Sequence, residues 1–208
     1  FEKLVYGGLT KVFAGIVIAP IGGLIVGVLL TGLIITVFAN RKPAPVNKIF
    51  GRLQIISSAW FALTHGANDG QKTMGIIALI LFSAGMIPEL DIPIWVIFAA
   101  AAAMGLGTFF GGYKVIKTLG VKITRLRPYQ GFAAETGGGL MLAAFAILGI
   151  PASTTHAITG TIMGSGAARR KRAVRWKVSR QIVFSWIITI PGAAGMGIGF
   201  TYLIHLFV

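Results

Sequence analysis

The chain contains apolar runs that are long enough to cross a lipid bilayer. Between Val12 and Ala39 there is no ionisable residue, and a bilayer-spanning helix needs about 20 apolar residues. Over the whole chain 55% of the residues are hydrophobic and 12% are charged, whereas a soluble domain carries about 25% charged residues. Because a backbone in lipid has to satisfy its own hydrogen bonds, these runs predict an all-α, polytopic membrane protein that contacts the lipid bilayer.

The basic residues are concentrated in three short connections between the apolar runs. The formal net charge of +14 would also suit nucleic-acid binding, but this clustering is the positive-inside pattern of cytoplasmic loops. We therefore expect a multi-pass protein of the plasma (inner) membrane, with no nucleic-acid partner. The connection that contains Glu89 and Asp91 has no basic residue and is expected outside. The three basic loops contain Arg41, Lys42, Lys48 and Arg52; Lys114, Lys117, Lys122, Arg125 and Arg127; and Arg169, Arg170, Lys171, Arg172, Arg175, Lys177 and Arg180.

These loops divide residues 1–208, taken as a single membrane domain, into about five membrane segments, one of them a broken helix, plus a re-entrant hairpin. Residues 49–83 would be about 52 Å long as one helix, against a hydrocarbon core of about 30 Å. The excess predicts a break at Gly66-Ala67-Asn68-Asp69-Gly70, because glycine lets the backbone leave helical geometry. An ionisable residue such as Asp69 is costly at membrane depth and usually marks an ion or substrate path. Lys72 pairs with Asp69, three positions away, contacts a substrate, or neutralises the wall of a cavity.

Residues 129–166 have cytoplasmic loops on both sides, and two full crossings would need roughly 40 residues plus a turn. We therefore expect a re-entrant helical hairpin that turns at Pro151. The residues Ser153-Thr154-Thr155 follow at the start of the outgoing helix, where free N–H groups and hydroxyls can bind an anion. Alternatively, these hydroxyls only cap the helix and bond to neighbouring helices. Glu135 lies either within the membrane or at its cytoplasmic interface.

Three motifs resemble those of inorganic phosphate transporters of the PiT family. Residues 66–70, followed by Gln71-Lys72-Thr73-Met74-Gly75, are similar to the family signature, and Pro151-Ala152-Ser153-Thr154-Thr155-His156 is similar to its second motif. Ala134-Glu135-Thr136 resembles its acidic element. The family is built from two halves of inverted topology, each with one copy of these motifs. Since the chain holds one set, the resemblance implies the C-terminal half of an inverted-repeat transporter, with the N-terminal repeat of the same transporter missing.

The resemblance also implies symport of inorganic phosphate driven by Na⁺ or H⁺, with no further cofactor. Sulfate or another tetrahedral oxyanion is an alternative substrate, and a passive anion channel is a further alternative, although a channel would not need intramembrane carboxylates. The residues implied for phosphate are Asn68, Asp69, Lys72, Ser153, Thr154 and Thr155, and those implied for the coupling cation are Asp69, Asn68 and Glu135, with Na⁺ as the metal at Asp69 and Asn68.

An enzymatic function is not expected. An intramembrane hydrolase could use Ser153 with His156, but the sequence offers no acid to orient the histidine. A helical hairpin that turns at a proline explains the presence of the same residues without a catalytic role.

Glycines four residues apart let membrane helices approach closely, either within this chain or in a homodimer. The consecutive Gly137, Gly138 and Gly139 suit either close packing or a hinge. The spaced pairs are Gly23/Gly27, Gly107/Gly111 and Gly195/Gly199.

Overall fold

The computed structural model describes residues 6–206, which form six α-helices. The first five belong to one compact unit that ends at Val174, and the sixth forms a second unit that begins at Arg175. A π-helical turn follows α3 and a short 3₁₀ turn follows α5. These elements are α1 (Tyr6–Val37), α2 (Pro43–Ser83), α3 (Ile94–Lys117), the π turn Thr118–Ile123, α4 (Pro128–Ile147), α5 (Thr154–Arg169), the 3₁₀ turn Lys171–Ala173 and α6 (Trp176–His205).

Three helices of the described chain are long and apolar enough to cross a membrane. The first of them overlaps the uncharged run between Val12 and Ala39 that the sequence analysis identifies. The predicted total of about five segments, and the inverted repeat, stay predictions. The three spans are Tyr6–Val37, Ile94–Tyr113 and Trp176–His205.

Helix α2 runs without interruption for 41 residues, so the predicted break at Gly66 and Gly70 is wrong. A glycine inside a helix costs only about 1 kcal/mol relative to alanine, and α2 packs along α4, which offsets such a cost. The Asn68 Nδ2 donates to the Thr64 carbonyl oxygen at 3.0 Å, a contact that follows the helical course. The helix begins at Pro43, six residues before the predicted segment 49–83, because proline suits a first helical turn.

Helices α4 and α5 pack on each other as the helical hairpin that the sequence predicts. Gly149 adopts a positive φ of 60°, a conformation that glycine reaches without strain, and Pro151 follows in the turn. The Ser153 Oγ accepts a hydrogen bond from the His156 backbone N–H at 3.4 Å and caps α5. The re-entrant course of this hairpin through the membrane stays a prediction.

Helix α1 packs against α5 through glycines on both helices. A Cβ built at Gly23 would lie 2.6 Å from the Ala157 carbonyl oxygen, and one at Gly164 would lie 3.0 Å from the Val28 backbone nitrogen. Only glycine therefore permits this approach, and the close packing predicted for the Gly23/Gly27 pair is confirmed within the chain. Within the unit that contains α3, no heavy atom lies within 4 Å of a Cβ built at Gly107.

The three consecutive glycines of α4 face different neighbours. A Cβ at Gly137 would lie 2.9 Å from Val26 on α1, and one at Gly138 would lie 3.1 Å from the Phe61 ring on α2. A Cβ at Gly139 would overlap the indole of Trp60. Of the two predicted alternatives, close packing is the one observed. It holds α2 beside the hairpin and thereby positions the site.

Candidate functional site

Asp69, in the middle of α2, lies against the beginning of α5. Its Oδ2 accepts a hydrogen bond from Thr154 Oγ1 at 2.8 Å, and its Oδ1 accepts one from Lys72 Nζ at 3.0 Å. The Nε2 of His65, one turn earlier, lies 3.1 Å from Oδ2. The fold therefore brings the two sequence motifs into direct contact.

Lys72 joins α2 to the turn of the hairpin. Besides Asp69, its ammonium group donates to the Ala152 carbonyl oxygen at 2.8 Å. Of the alternatives for Lys72, its pairing with Asp69 is the contact observed. The Lys72 side chain is 45% exposed and that of Asp69 is 32% exposed, so this chain leaves both charged groups partly uncovered.

The N-terminus of α5 adds a positive electrostatic contribution to this junction. Thr154 is the first residue of a 16-residue helix, and free N–H groups at such an end carry about half a positive charge. The Asp69 carboxylate thus interacts with a helix N-terminus, an ammonium group and a buried hydroxyl. Of the other two predicted hydroxyls, that of Ser153 caps the helix, while the Thr155 side chain is exposed.

Asn68 is directed toward α4. Besides its contact within α2, its Nδ2 donates a hydrogen bond to the Leu142 carbonyl oxygen at 3.4 Å. The amide thus connects α2 to α4 one residue before Asp69.

Glu135 forms a separate polar cluster between α4 and α2. Its Oε2 accepts from Ser57 Oγ at 2.6 Å, and its Oε1 accepts from Gln54 Nε2 at 3.3 Å. Both donors are neutral, and among the described residues no basic side chain forms an ion pair with it. Ser57 precedes Asp69 by 12 positions on one helix, which is about 18 Å. The structure therefore does not bring together the carboxylates that the sequence predicts for the coupling cation.

Three contact residues were not assigned to the site from the sequence. Gln54 and Ser57 lie three positions apart and project toward Glu135, and their spacing inside an apolar segment is a signal that could have identified them. His65 contacts the Asp69 carboxylate. It also stacks on Phe61, with ring centroids 5.9 Å apart and planes 12° apart.

A helical chain with several apolar spans, whose hairpin turn contacts a carboxylate–ammonium pair, has the features of a multi-pass membrane transporter. The chain belongs to the phosphate transporter family, which it matches over residues 1–197. It is accordingly an integral, multi-pass protein of the plasma membrane, and the predicted family and localisation are confirmed.

Related proteins carry transporter names. The chain is 48% identical over 195 residues to a probable low-affinity inorganic phosphate transporter of Rhizobium meliloti (strain 1021), covering 93% of this chain and 58% of that protein. It is 39% identical over 198 residues to a protein of the same description from Bacillus subtilis (strain 168), covering 95% of this chain and 60% of that protein. The chain thus spans about three fifths of the length of these relatives.

A solved structure described as the sodium-dependent phosphate transporter has a similar fold. The TM-score is 0.63 at 26% sequence identity, and the likeness covers 88% of this chain and 56% of that one. These names denote transporters and not enzymes.

Proposed function

We propose that this chain forms part of a symporter that carries inorganic phosphate together with a cation, Na⁺ or H⁺. The observation that carries the proposal is the junction of Asp69 with Thr154 and Lys72, where the signature motif meets the hairpin turn. The names of the relatives support phosphate as the substrate, and the name of the structural neighbour supports Na⁺ as the cation.

The beginning of α5 is the proposed phosphate site. Phosphate would accept hydrogen bonds from the free N–H groups of this helix end and from Thr154, with Ser153 and Thr155 beside it. Lys72 would supply a positive charge, since its ammonium group already lies 2.8 Å from the hairpin turn at Ala152. Asn68 would hold α2 beside α4 and would line the phosphate site on the α2 side.

The Asp69 carboxylate supports coupling to a cation. It accepts hydrogen bonds from two of the groups that phosphate would use, Thr154 and Lys72, so two anions would compete for the same donors. Like charges within a few ångströms are unfavourable in a medium of low dielectric constant. A Na⁺ ion on Asp69, or a proton, would remove this competition. Phosphate would therefore bind best after the cation.

Glu135 is proposed as a second cation-binding group. Its carboxylate lies between neutral donors, Ser57 and Gln54, and a charge at membrane depth is costly without a counter-ion. A cation or a proton at Glu135 would satisfy that requirement. Because it lies about 18 Å along α2 from Asp69, the two carboxylates would bind their cations separately.

The remaining part of the transporter is the proposed partner of this chain. The relatives are longer than the matched region, which covers 58% and 60% of them. A second, inverted repeat would supply the opposite side of the phosphate site, since α2 and the hairpin contact it from one side. A homodimer is a further proposed assembly.

Uptake of radiolabelled phosphate into proteoliposomes of the full-length transporter tests this proposal. We expect accumulation under an inward Na⁺ gradient or an inward H⁺ gradient, and loss of accumulation when that gradient is dissipated. Equilibration without accumulation under either gradient would indicate a passive channel. Equal competition by sulfate and phosphate would indicate a general oxyanion carrier.

A further inference from the structure

A cavity lies where the end of α1, the beginning of α2 and the beginning of α4 meet, far from Asp69 along the sequence. Its volume is about 200 Å³, several times the roughly 30 Å³ that one water molecule occupies in the liquid. Ile34, Phe38 and Val46 form an apolar part of its lining, and Arg41 and Arg127 form a basic part. The cavity can therefore hold a charged group of several atoms with apolar atoms beside it.

Both arginines are available to an external anion. Among residues 6–206, the ion pairs involve only Asp69 with His65 and Lys72, so neither guanidinium is paired with a carboxylate. Tyr129 also lines the cavity and belongs to the first turn of α4, whose N-terminus adds positive potential. Guanidinium groups bind phosphate groups through two parallel hydrogen bonds.

Asn47 supplies an acceptor in the same cavity. Its Oδ1 is buried and has no hydrogen-bond partner among the described residues. An unpaired buried acceptor costs about 1–3 kcal/mol, so a ligand that carries a hydroxyl donor beside its negative charge would be favoured.

The walls of the cavity are fixed by aromatic contacts. The rings of Phe38 on the α1 side and Phe50 on α2 lie 5.4 Å apart, and Phe50 lies 5.3 Å from Phe132 on α4. Phe50 is buried. This chain of edge-to-face contacts joins the segments that line the cavity.

We propose that this cavity binds the headgroup of an anionic phospholipid with a hydroxylated headgroup, of which phosphatidylglycerol is the type. The phosphate would contact Arg41 and Arg127, the headgroup hydroxyl would donate to Asn47, and the acyl chains would run along the apolar residues at the end of α1. The apolar span of α1 ends at Val37, and the positive-inside pattern assigns Arg41 to the cytoplasmic side. Basic pockets between helices on that side are suited to lipid headgroups.

Native mass spectrometry of the full-length transporter, released from mixed micelles, tests this proposal by counting retained lipids. The probes are phosphatidylglycerol, phosphatidylcholine and phosphatidic acid, each with and without an excess of inorganic phosphate. The test variant is Arg41→Gln with Arg127→Gln. The double Arg170→Gln with Arg172→Gln variant is the charge-matched control, and a single Arg172→Gln variant is a second control, because these residues are exposed in another basic loop.

We expect one phosphatidylglycerol molecule to be retained in preference to phosphatidylcholine, with affinity about 30-fold lower in the Arg41/Arg127 variant and unchanged in the controls. Replacing Asn47 with Leu should abolish the preference for phosphatidylglycerol over phosphatidic acid. If the double glutamine variant does not fold, Arg41→Lys with Arg127→Lys replaces it and should lower affinity less than tenfold.

Equal retention of phosphatidylglycerol by the test variant and the controls would overturn the proposal. Complete displacement of the lipid by inorganic phosphate would also overturn it, because the cavity would then be a site for free phosphate. Either result leaves the uptake assay at the Asp69 site unaffected, so this inference and the proposed symport fail separately.

Discussion

Thr154 donates its hydroxyl to the Asp69 carboxylate at 2.8 Å, although the two residues are 85 positions apart in the sequence. This bond joins the only acidic residue of α2 to the first residue of α5. Thr154 therefore directly contacts the carboxylate that we propose as the binding group for a coupling cation or proton.

Replacing Asp69 with Asn tests the coupling role of this carboxylate. The change keeps the size of the side chain but removes the charge that would bind a cation in a low-dielectric site. Coupled phosphate uptake should fall at least tenfold while the amount of protein in the membrane is unchanged. The matched control is Asp91→Asn in the exposed connection before α3, which should transport normally. Normal uptake by the Asp69 variant would remove this residue from the mechanism.

Replacing Thr154 with Val removes one hydroxyl and keeps the shape of the side chain. Because a hydrogen bond to a charged group contributes about 1.5–3 kcal/mol, the phosphate concentration for half-maximal uptake should rise about tenfold or more. Thr201→Val is the control, since that hydroxyl bonds within α6 to the Gly197 carbonyl oxygen and is exposed. Equal phosphate dependence of the two variants would contradict the assignment of Thr154.

Ser57 and Ser58 provide a matched pair for the Glu135 cluster. Ser57 donates to Glu135 at 2.6 Å, whereas Ser58 is exposed and donates to the Ile55 carbonyl oxygen. Ser57→Ala should raise the cation concentration for half-maximal uptake about tenfold and leave the phosphate dependence at saturating cation within about twofold. Ser58→Ala should change neither value. A shift in phosphate affinity alone would contradict a separate cation role for Glu135.

Single cysteines test the topology, because the chain contains no natural cysteine. Ala173→Cys should react with a membrane-impermeant thiol reagent from the cytoplasmic side, and Leu90→Cys should react from outside. Both positions are exposed. Thr155→Cys, exposed at the hairpin turn, should be protected by phosphate. Rapid external labelling at Thr155 that phosphate does not slow would indicate two ordinary crossings and an outside loop.

Gly160 and Gly107 allow a comparison between a glycine that packs against a neighbouring helix and a glycine that does not. A Cβ at Gly160 would collide with the Pro20 carbonyl group on α1, whereas one at Gly107 has open space within its unit. Gly160→Ala should lower the thermal unfolding temperature in detergent by about 5 °C, the size expected for overpacking. Gly107→Ala should leave it unchanged or raise it slightly. Equal unfolding temperatures would show that α1 and α5 are not in close contact.

Local geometry made part of this site predictable from the sequence. Asp69 and Lys72 are three positions apart, so any helix through them brings the two charges together, and Pro151 marks the turn because proline cannot continue a helix. The same reasoning failed at Gly66 and Gly70, because a glycine inside a helix costs only about 1 kcal/mol and α2 as a whole packs along α4.

Contacts between segments that are distant along the chain could not be predicted from the sequence. The bonds from Gln54 and Ser57 to Glu135 depend on the register of α2 against α4, and no local pattern fixes that register. The same is true of Thr154, since a hydroxyl at a helix start can cap the helix or bond to a neighbouring helix.

The glycines at positions 137–139 give α4 a narrow section. Successive helical positions lie about 100° apart, so three glycines remove side chains from most of the circumference at one level, and Trp60 and Phe61 fill the vacated space. Trp60 precedes Asp69 by nine positions on the same continuous helix, which is about 14 Å. The three glycines make α4 thin at this level, and this thinness sets the distance between α2 and the hairpin. The level that sets this distance contacts neither Asp69 nor Thr154.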